Sequence, residues 1–176
     1  MSAETFTTAM FLITAVIASG VLINAVFPVV YNMAGTFSSA THESDQRLRT
    51  DFKIVTYYYL ISDNKAEIWM KNIGSSRIYS EEIIRSDVFC GPEGKYGRLQ
   101  YKATPSGNGQ WTTEFSNAAD KISKEYDLNG NGYWDSGETL HITAYPTTPA
   151  TTSGDLIYFQ FILPDAIWRS VTFPAS

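Results

Sequence analysis

The hydrophobic pattern divides the chain into a long apolar run and a body of short β-rich runs separated by turn residues. Residues 5–41 contain no Asp, Glu, Lys or Arg, and the stretch 9–31 is almost wholly apolar. A helix rises about 1.5 Å per residue, and about 20 apolar residues cross the hydrocarbon core of a bilayer, where backbone groups must be satisfied within the segment itself. The stretch 9–31 passes that length test, so a membrane-spanning helix is predicted; the bland alternative is a buried helix of a soluble domain. Glu4 stands where a carboxylate interacts favourably with the positive end of the helix dipole. Pro28 removes one helical hydrogen bond and predicts a kink or local irregularity near 24–28. Gly20 with Ala15, Ala18 and Ala25 offers small surfaces for close contact between helices. Beyond Gly35 the polar stretch 36–46 marks a return to water, and it reads as a helical stalk to about Asp45 because no strong helix breaker follows Gly35.

From Asp51 the period shortens. The runs 52–60, 66–71, 83–89, 98–102, 110–115, 139–145, 156–163 and 170–173 are rich in β-branched and aromatic residues and read as strands. Turn residues fall between them, at 62–64, 72–76, 91–94, 105–109 and 146–154. One weak helical candidate remains, 116–124. The predicted fold class is α+β: a long N-terminal transmembrane helix with its stalk, 1–45, followed by an antiparallel, immunoglobulin-like β-sandwich domain, 46–176.

Composition narrows the function. The formal net charge of −5, with no basic patch, excludes a nucleic-acid footprint. The single cysteine, Cys90, rules out an intrachain disulfide and reads as a small buried hydrophobe. A removable signal peptide has a basic start and a short apolar core; here no Lys or Arg precedes Arg47 and the apolar run is too long, so the helix is expected to be retained.

The most specific motif is 127–138, Asp-Leu-Asn-Gly-Asn-Gly-Tyr-Trp-Asp-Ser-Gly-Glu. It fits the twelve-residue calcium-loop template, with Asp127, Asn129 and Asn131 at positions one, three and five, Gly132 at the tight turn, Tyr133 offering its carbonyl, Asp135 binding directly or through water, and Glu138 closing the shell. All these ligands are hard oxygens, which select calcium; a metal-free Asn-Gly turn is the competing reading. The strand-like residues after Glu138 exclude the helix pair of a calcium sensor, so a structural clamp is expected. Asn at two ligand positions suits the weaker sites of extracellular modules.

Catalytic signatures are missing. His42 and His141 lack metal-ligand spacing and read as ordinary surface or strand residues, and Glu81-Glu82 as a solvated face. There is no Gly-x-Ser-x-Gly elbow, phosphate loop or dinucleotide fingerprint. No enzyme activity is expected.

An uncharged helix opened by Glu4, interrupted at Pro28 and followed by a polar stalk and a sandwich resembles the plan of type IV pilin-like subunits, the archaeal ones above all. Residues 4–18, running on to 47–55, are similar to the archaellum accessory family of FlaG and FlaF, and 68–74 and 86–89 carry the same likeness. The resemblance implies a structural component of the archaeal flagellum that acts as a stator, anchored in membrane lipid by its helix. Its extracytoplasmic domain would meet the S-layer or other archaellum proteins and form homo- or hetero-oligomers. The basic leader of filament-forming archaellins is not seen before Glu4, which argues against the major filament subunit unless the numbering begins after processing. Arg47, Arg49 and Lys53 follow the helix, against the positive-inside tendency, but they are few and lie beyond the stalk. A pilin-like filament subunit or a calcium-stabilised adhesin is the alternative.

Overall fold

The computed structural model describes residues 3–113, 130–150 and 152–176, and the chain divides into two compact units, 1–45 and 46–176. Helix α1, Ala3–Arg49, is 47 residues long and supplies the whole of the first unit. It runs unbroken through Pro28 and Gly35, and the polar stretch after Gly35 is helical to Arg49. Proline removes one donor and crowds the carbonyl four residues back, at about 3 kcal/mol, and glycine costs about 1 kcal/mol, yet α1 continues as helix past both. Every described side chain along α1 is exposed, and its most apolar eighteen-residue window has a mean hydropathy of 2.3. Hydroxyls within the apolar run bond back to the helix: Thr14 Oγ1 donates to Met10 O at 2.8 Å and Ser19 Oγ to Ala15 O at 2.9 Å. The polar atoms are thus satisfied locally while the apolar surface faces outward, which is the requirement for a helix covered by lipid or by other apolar helices.

The second unit is β-rich. Its strands are β1 Phe52–Leu60, β2 Lys65–Asn72, β3 Ile78–Tyr79, β4 Asp87–Pro92, β5 Gly97–Tyr101, β6 Gln110–Thr113, β7 Tyr133–Trp134, β8 Thr139–Tyr145, β9 Leu156–Ile162 and β10 Trp168–Pro174, with a short helix α2, Ser80–Ile84. Among the described residues eight strands form one sheet in the order β1-β2-β8-β6-β5-β4-β9-β10, and β3 pairs with β7 apart from it. The halves β1-β2-β8-β6 and β5-β4-β9-β10 are antiparallel throughout; they join through a short parallel contact, Gln100↔Gln110 and Tyr101↔Trp111. The sheet is folded on itself as a sandwich, because rings from opposite halves meet inside: Phe52 and Phe161 with centroids 5.5 Å apart, Trp111 and Phe161 at 6.3 Å. Alternation places Ala66, Ile68 and Met70 of β2 and Leu140, Ile142 and Ala144 of β8 in that core. Each large apolar side chain so buried contributes about 1.5–3 kcal/mol of transfer free energy.

The expected strand 83–89 begins only at Asp87, because α2 takes the residues before it. Glu82 supplies the local reason: its carboxylate accepts the Tyr79 amide at 3.2 Å, and its carbonyl accepts Ser86 Oγ at 2.8 Å. These bonds, with the complete burial of Ile83, override the strand preference of the two isoleucines. The helical candidate 116–124 lies outside the described residues.

Candidate functional site

Of the six residues the calcium template selects, Asp127 and Asn129 lie outside the described residues. The other four sit on one loop that enters and leaves β7. Glycines in the left-handed region shape it: Gly130 at φ 70°, Gly132 at 84° and Gly137 at 88°. Asn131 Oδ1 accepts the Tyr133 amide at 2.9 Å, while its Nδ2 donates to Asp135 Oδ2 at 2.6 Å. The Asp135 amide donates to Glu138 Oε2 at 2.9 Å, and Glu138 is only 4% exposed. Asn131, Asp135 and Glu138 therefore form one hydrogen-bonded chain of oxygen-bearing groups. A nearly buried carboxylate at the closing position, with the loop turning on positive-φ glycines, fits a hard cation with oxygen ligands. Arg77 stands beside them, its Nε 3.6 Å from Asp135 Oδ1 and its guanidinium 5.2 Å from the centre of the Tyr133 ring. Among the described residues no three His, Cys, Asp or Glu side chains cluster as a metal site; a calcium shell would have to draw on amide and carbonyl oxygens as well.

The loop is moored to the core. Trp134 is fully buried, packs against Phe52 at 5.8 Å and donates its Nε1 to Glu138 O at 2.9 Å. Asn72, at the end of β2 and wholly buried, receives the loop from the other side. Its amide donates to Glu138 O at 2.9 Å, its carbonyl accepts the Gly137 amide at 2.8 Å, and its side-chain Nδ2 donates to both Trp134 O and Ser76 O at 2.9 Å. Its Oδ1 accepts the Gly74 amide at 3.0 Å.

The turn that follows Asn72 grips the chain where α1 gives way to β1. Ile73 and Gly74 donate to Asp51 O at 3.0 and 2.9 Å, and Ser75 and Ser76 donate to Arg49 O at 2.9 and 3.1 Å. Four consecutive amides thus hold two carbonyls. The approach is so close that a Cβ at Gly74 would lie 2.3 Å from Arg49 O and 2.5 Å from Asp51 N, so only glycine fits. The Asp51 carboxylate is in turn bonded by Arg169 of β10.

Sequence reasoning missed a further cluster. His141 of β8 hydrogen-bonds Glu67 of β2, and Thr143 Oγ1 donates to the same carboxylate at 3.0 Å. Lys65 Nζ reaches its other oxygen at 2.5 Å, and Trp69 stacks on the His141 ring at 4.3 Å. Burial pushes the Glu67 carboxyl up, but the bonds from His141 and Lys65 outweigh it and hold it below its ordinary range; the same bond holds the Lys65 ammonium above its ordinary value. His141 is thus a strand residue, as expected, but a buried and bonded one. The available signal was alternation: Glu67 and Trp69 fall between the core positions of β2, and His141 and Thr143 between those of β8. Cys90 is buried, and burial pushes its thiol up to about 12, so it carries no thiolate chemistry.

The sequence profile of the family described as archaeal-type flagellin matches residues 4–173. An uncharacterized protein of Archaeoglobus fulgidus is 25% identical over 171 residues, covering 95% of either chain. Among solved structures, the archaellum periplasmic stator protein FlaG from Sulfolobus acidocaldarius matches with a TM-score of 0.52 at 19% identity, over 70% of this chain and 99% of that one. The archaeal flagellum of Methanospirillum hungatei matches with a TM-score of 0.65 at 12% identity, over 97% of this chain and 93% of that one. At these identities the two structures report a shared fold.

Proposed function

Because the chain belongs to the archaeal-type flagellin family, whose members are structural proteins of the archaellum and not enzymes, we propose that it is a stator: a membrane-anchored subunit that ties the motor to the cell envelope. The observation that carries this reading is the grip on the helix exit. A stator must transmit tension from a membrane anchor to an outer domain, and the carbonyls of Arg49 and Asp51, at the end of the exposed apolar helix, are held by the four amides of 73–76. Force on the backbone at that point is shared among parallel hydrogen bonds rather than carried by one. The match to 99% of the FlaG chain supports the same reading.

In this proposal α1 lies in lipid, the sandwich lies outside the cytoplasm, and its surface meets the S-layer or other archaellum subunits. Calcium, held by Asp127, Asn129, Asn131, the Tyr133 carbonyl, Asp135 and Glu138, neutralises the carboxylates of the loop and stiffens it. A filament subunit is the second reading, and one observation favours it: the likeness to the Methanospirillum hungatei flagellum takes in the helix as well as the sandwich. Mass spectrometry of sheared filaments and of the stripped cell envelope separates the two. The stator reading expects the chain in the envelope and only traces in the filaments; a filament preparation made chiefly of this chain would overturn it.

A further inference from the structure

We infer that the Asn72 side chain couples the loop 130–138 to the helix exit, so that order in the loop sets the stiffness of the joint at Arg49–Asp51. The inference rests on the calcium reading only for what orders the loop; the coupling itself stands on the hydrogen bonds. The Asn72 amide group joins two carbonyls, Trp134 O in the loop and Ser76 O in the turn, each at 2.9 Å, while its oxygen takes the Gly74 amide at 3.0 Å. The turn so fixed is the one whose amides at 73–76 hold Asp51 O and Arg49 O. Asn72 is wholly buried, so water offers no substitute for these bonds. A buried amide joined on both sides gives displacement at Trp134 a side-chain route to the turn, beside the backbone routes through the Ile78↔Trp134 pairing and through Asn72 itself. Removal of the side chain would leave the backbone links of Asn72 to Gly137 and Glu138 in place but cut the bridge to Ser76. Asn72 is therefore a positioning residue: it would touch no cation, yet it would relay the state of the loop.

Amide hydrogen exchange, read by mass spectrometry on the full chain in detergent micelles, tests this. Gly137→Ala is the perturbation, because Gly137 stands at φ +88° with nothing within 4 Å of an added Cβ, so the change strains the loop backbone without displacing a neighbour. The expected result is faster exchange of the 73–76 amides by about fivefold or more, the scale of a typical coupling between sites, and no such response when Asn72→Ala is also present. Added calcium is expected to slow the same amides in the wild type and to leave them unchanged in Asn72→Ala. Loosening confined to 130–138, or equal responses with and without the Asn72 side chain, would overturn the inference. If Asn72→Ala fails to fold, Asn72→Ser takes its place as the milder truncation and is read in the same way, because Gly137→Ala alone also reaches the turn through the backbone of Asn72. Should isothermal titration find no calcium binding while Gly137→Ala still reaches 73–76, the calcium reading fails and the coupling holds.

Discussion

At the scale of residues, stability is concentrated where a side chain or its absence meets a fixed backbone. Gly74 is the sharpest case, since an added Cβ would sit 2.3 Å from Arg49 O. Gly74→Ala is expected to cost about 3 kcal/mol, the upper range for overpacking, measured by urea unfolding of the full chain in micelles. The Glu67 carboxylate gives the pH dependence. Its value lies below the ordinary 4.5, so its contribution is complete above pH 4.5 and is lost as pH falls through the lowered value. Thermal melting between pH 6 and 3 should therefore show a steeper acid loss in the wild type than in Glu67→Gln; parallel curves would show that the pair with His141 contributes nothing. These two features differ in how far the sequence announced them. A glycine in a turn signal at 72–76 was visible, but its reason was not, because Arg49 approaches it from another element. The Glu67–His141 pair joins residues 74 apart, and no local pattern says which strands lie side by side.

At the scale of elements, local preference and tertiary packing agree in most places. Strands 52–60 and 139–145 have the bounds expected from their β-branched and aromatic content between turn residues. Agreement fails where elements are too short to show a period: β3 and β7 have two residues each, and α2 is set by the bonds of Glu82 rather than by its isoleucines. Pro28 illustrates the converse, a strong local signal that a long helix carries through. For the loop 127–138 the motif was plain in the sequence, and the structure adds its mooring on Trp134 and Asn72. If calcium holds that loop, chelation should lower the melting temperature of the full chain by several degrees, the shift that about 1–2 kcal/mol produces, and Asp127→Ala should abolish the response. An unchanged melting temperature on chelation would contradict the proposed clamp.

At the scale of the molecule, the chain combines a helix whose described side chains are all exposed with a sandwich that buries a core of its own, Phe52, Trp111 and Phe161 among it. The sandwich can hold itself together, whereas the helix needs cover from lipid or from other helices. That asymmetry is what an anchor requires. Its orientation is open to test by protease treatment of intact cells: digestion of 46–176 is expected, and full protection would place that unit in the cytoplasm. The central claim, that the chain works as a stator whose helix exit bears load, is tested most directly by swimming speed in a strain lacking the chain and complemented with the wild type or with Gly74→Ala. Deletion is expected to abolish swimming, wild type to restore it, and Gly74→Ala to restore it only in part at equal membrane abundance; full-speed swimming of the deletion strain would contradict the account.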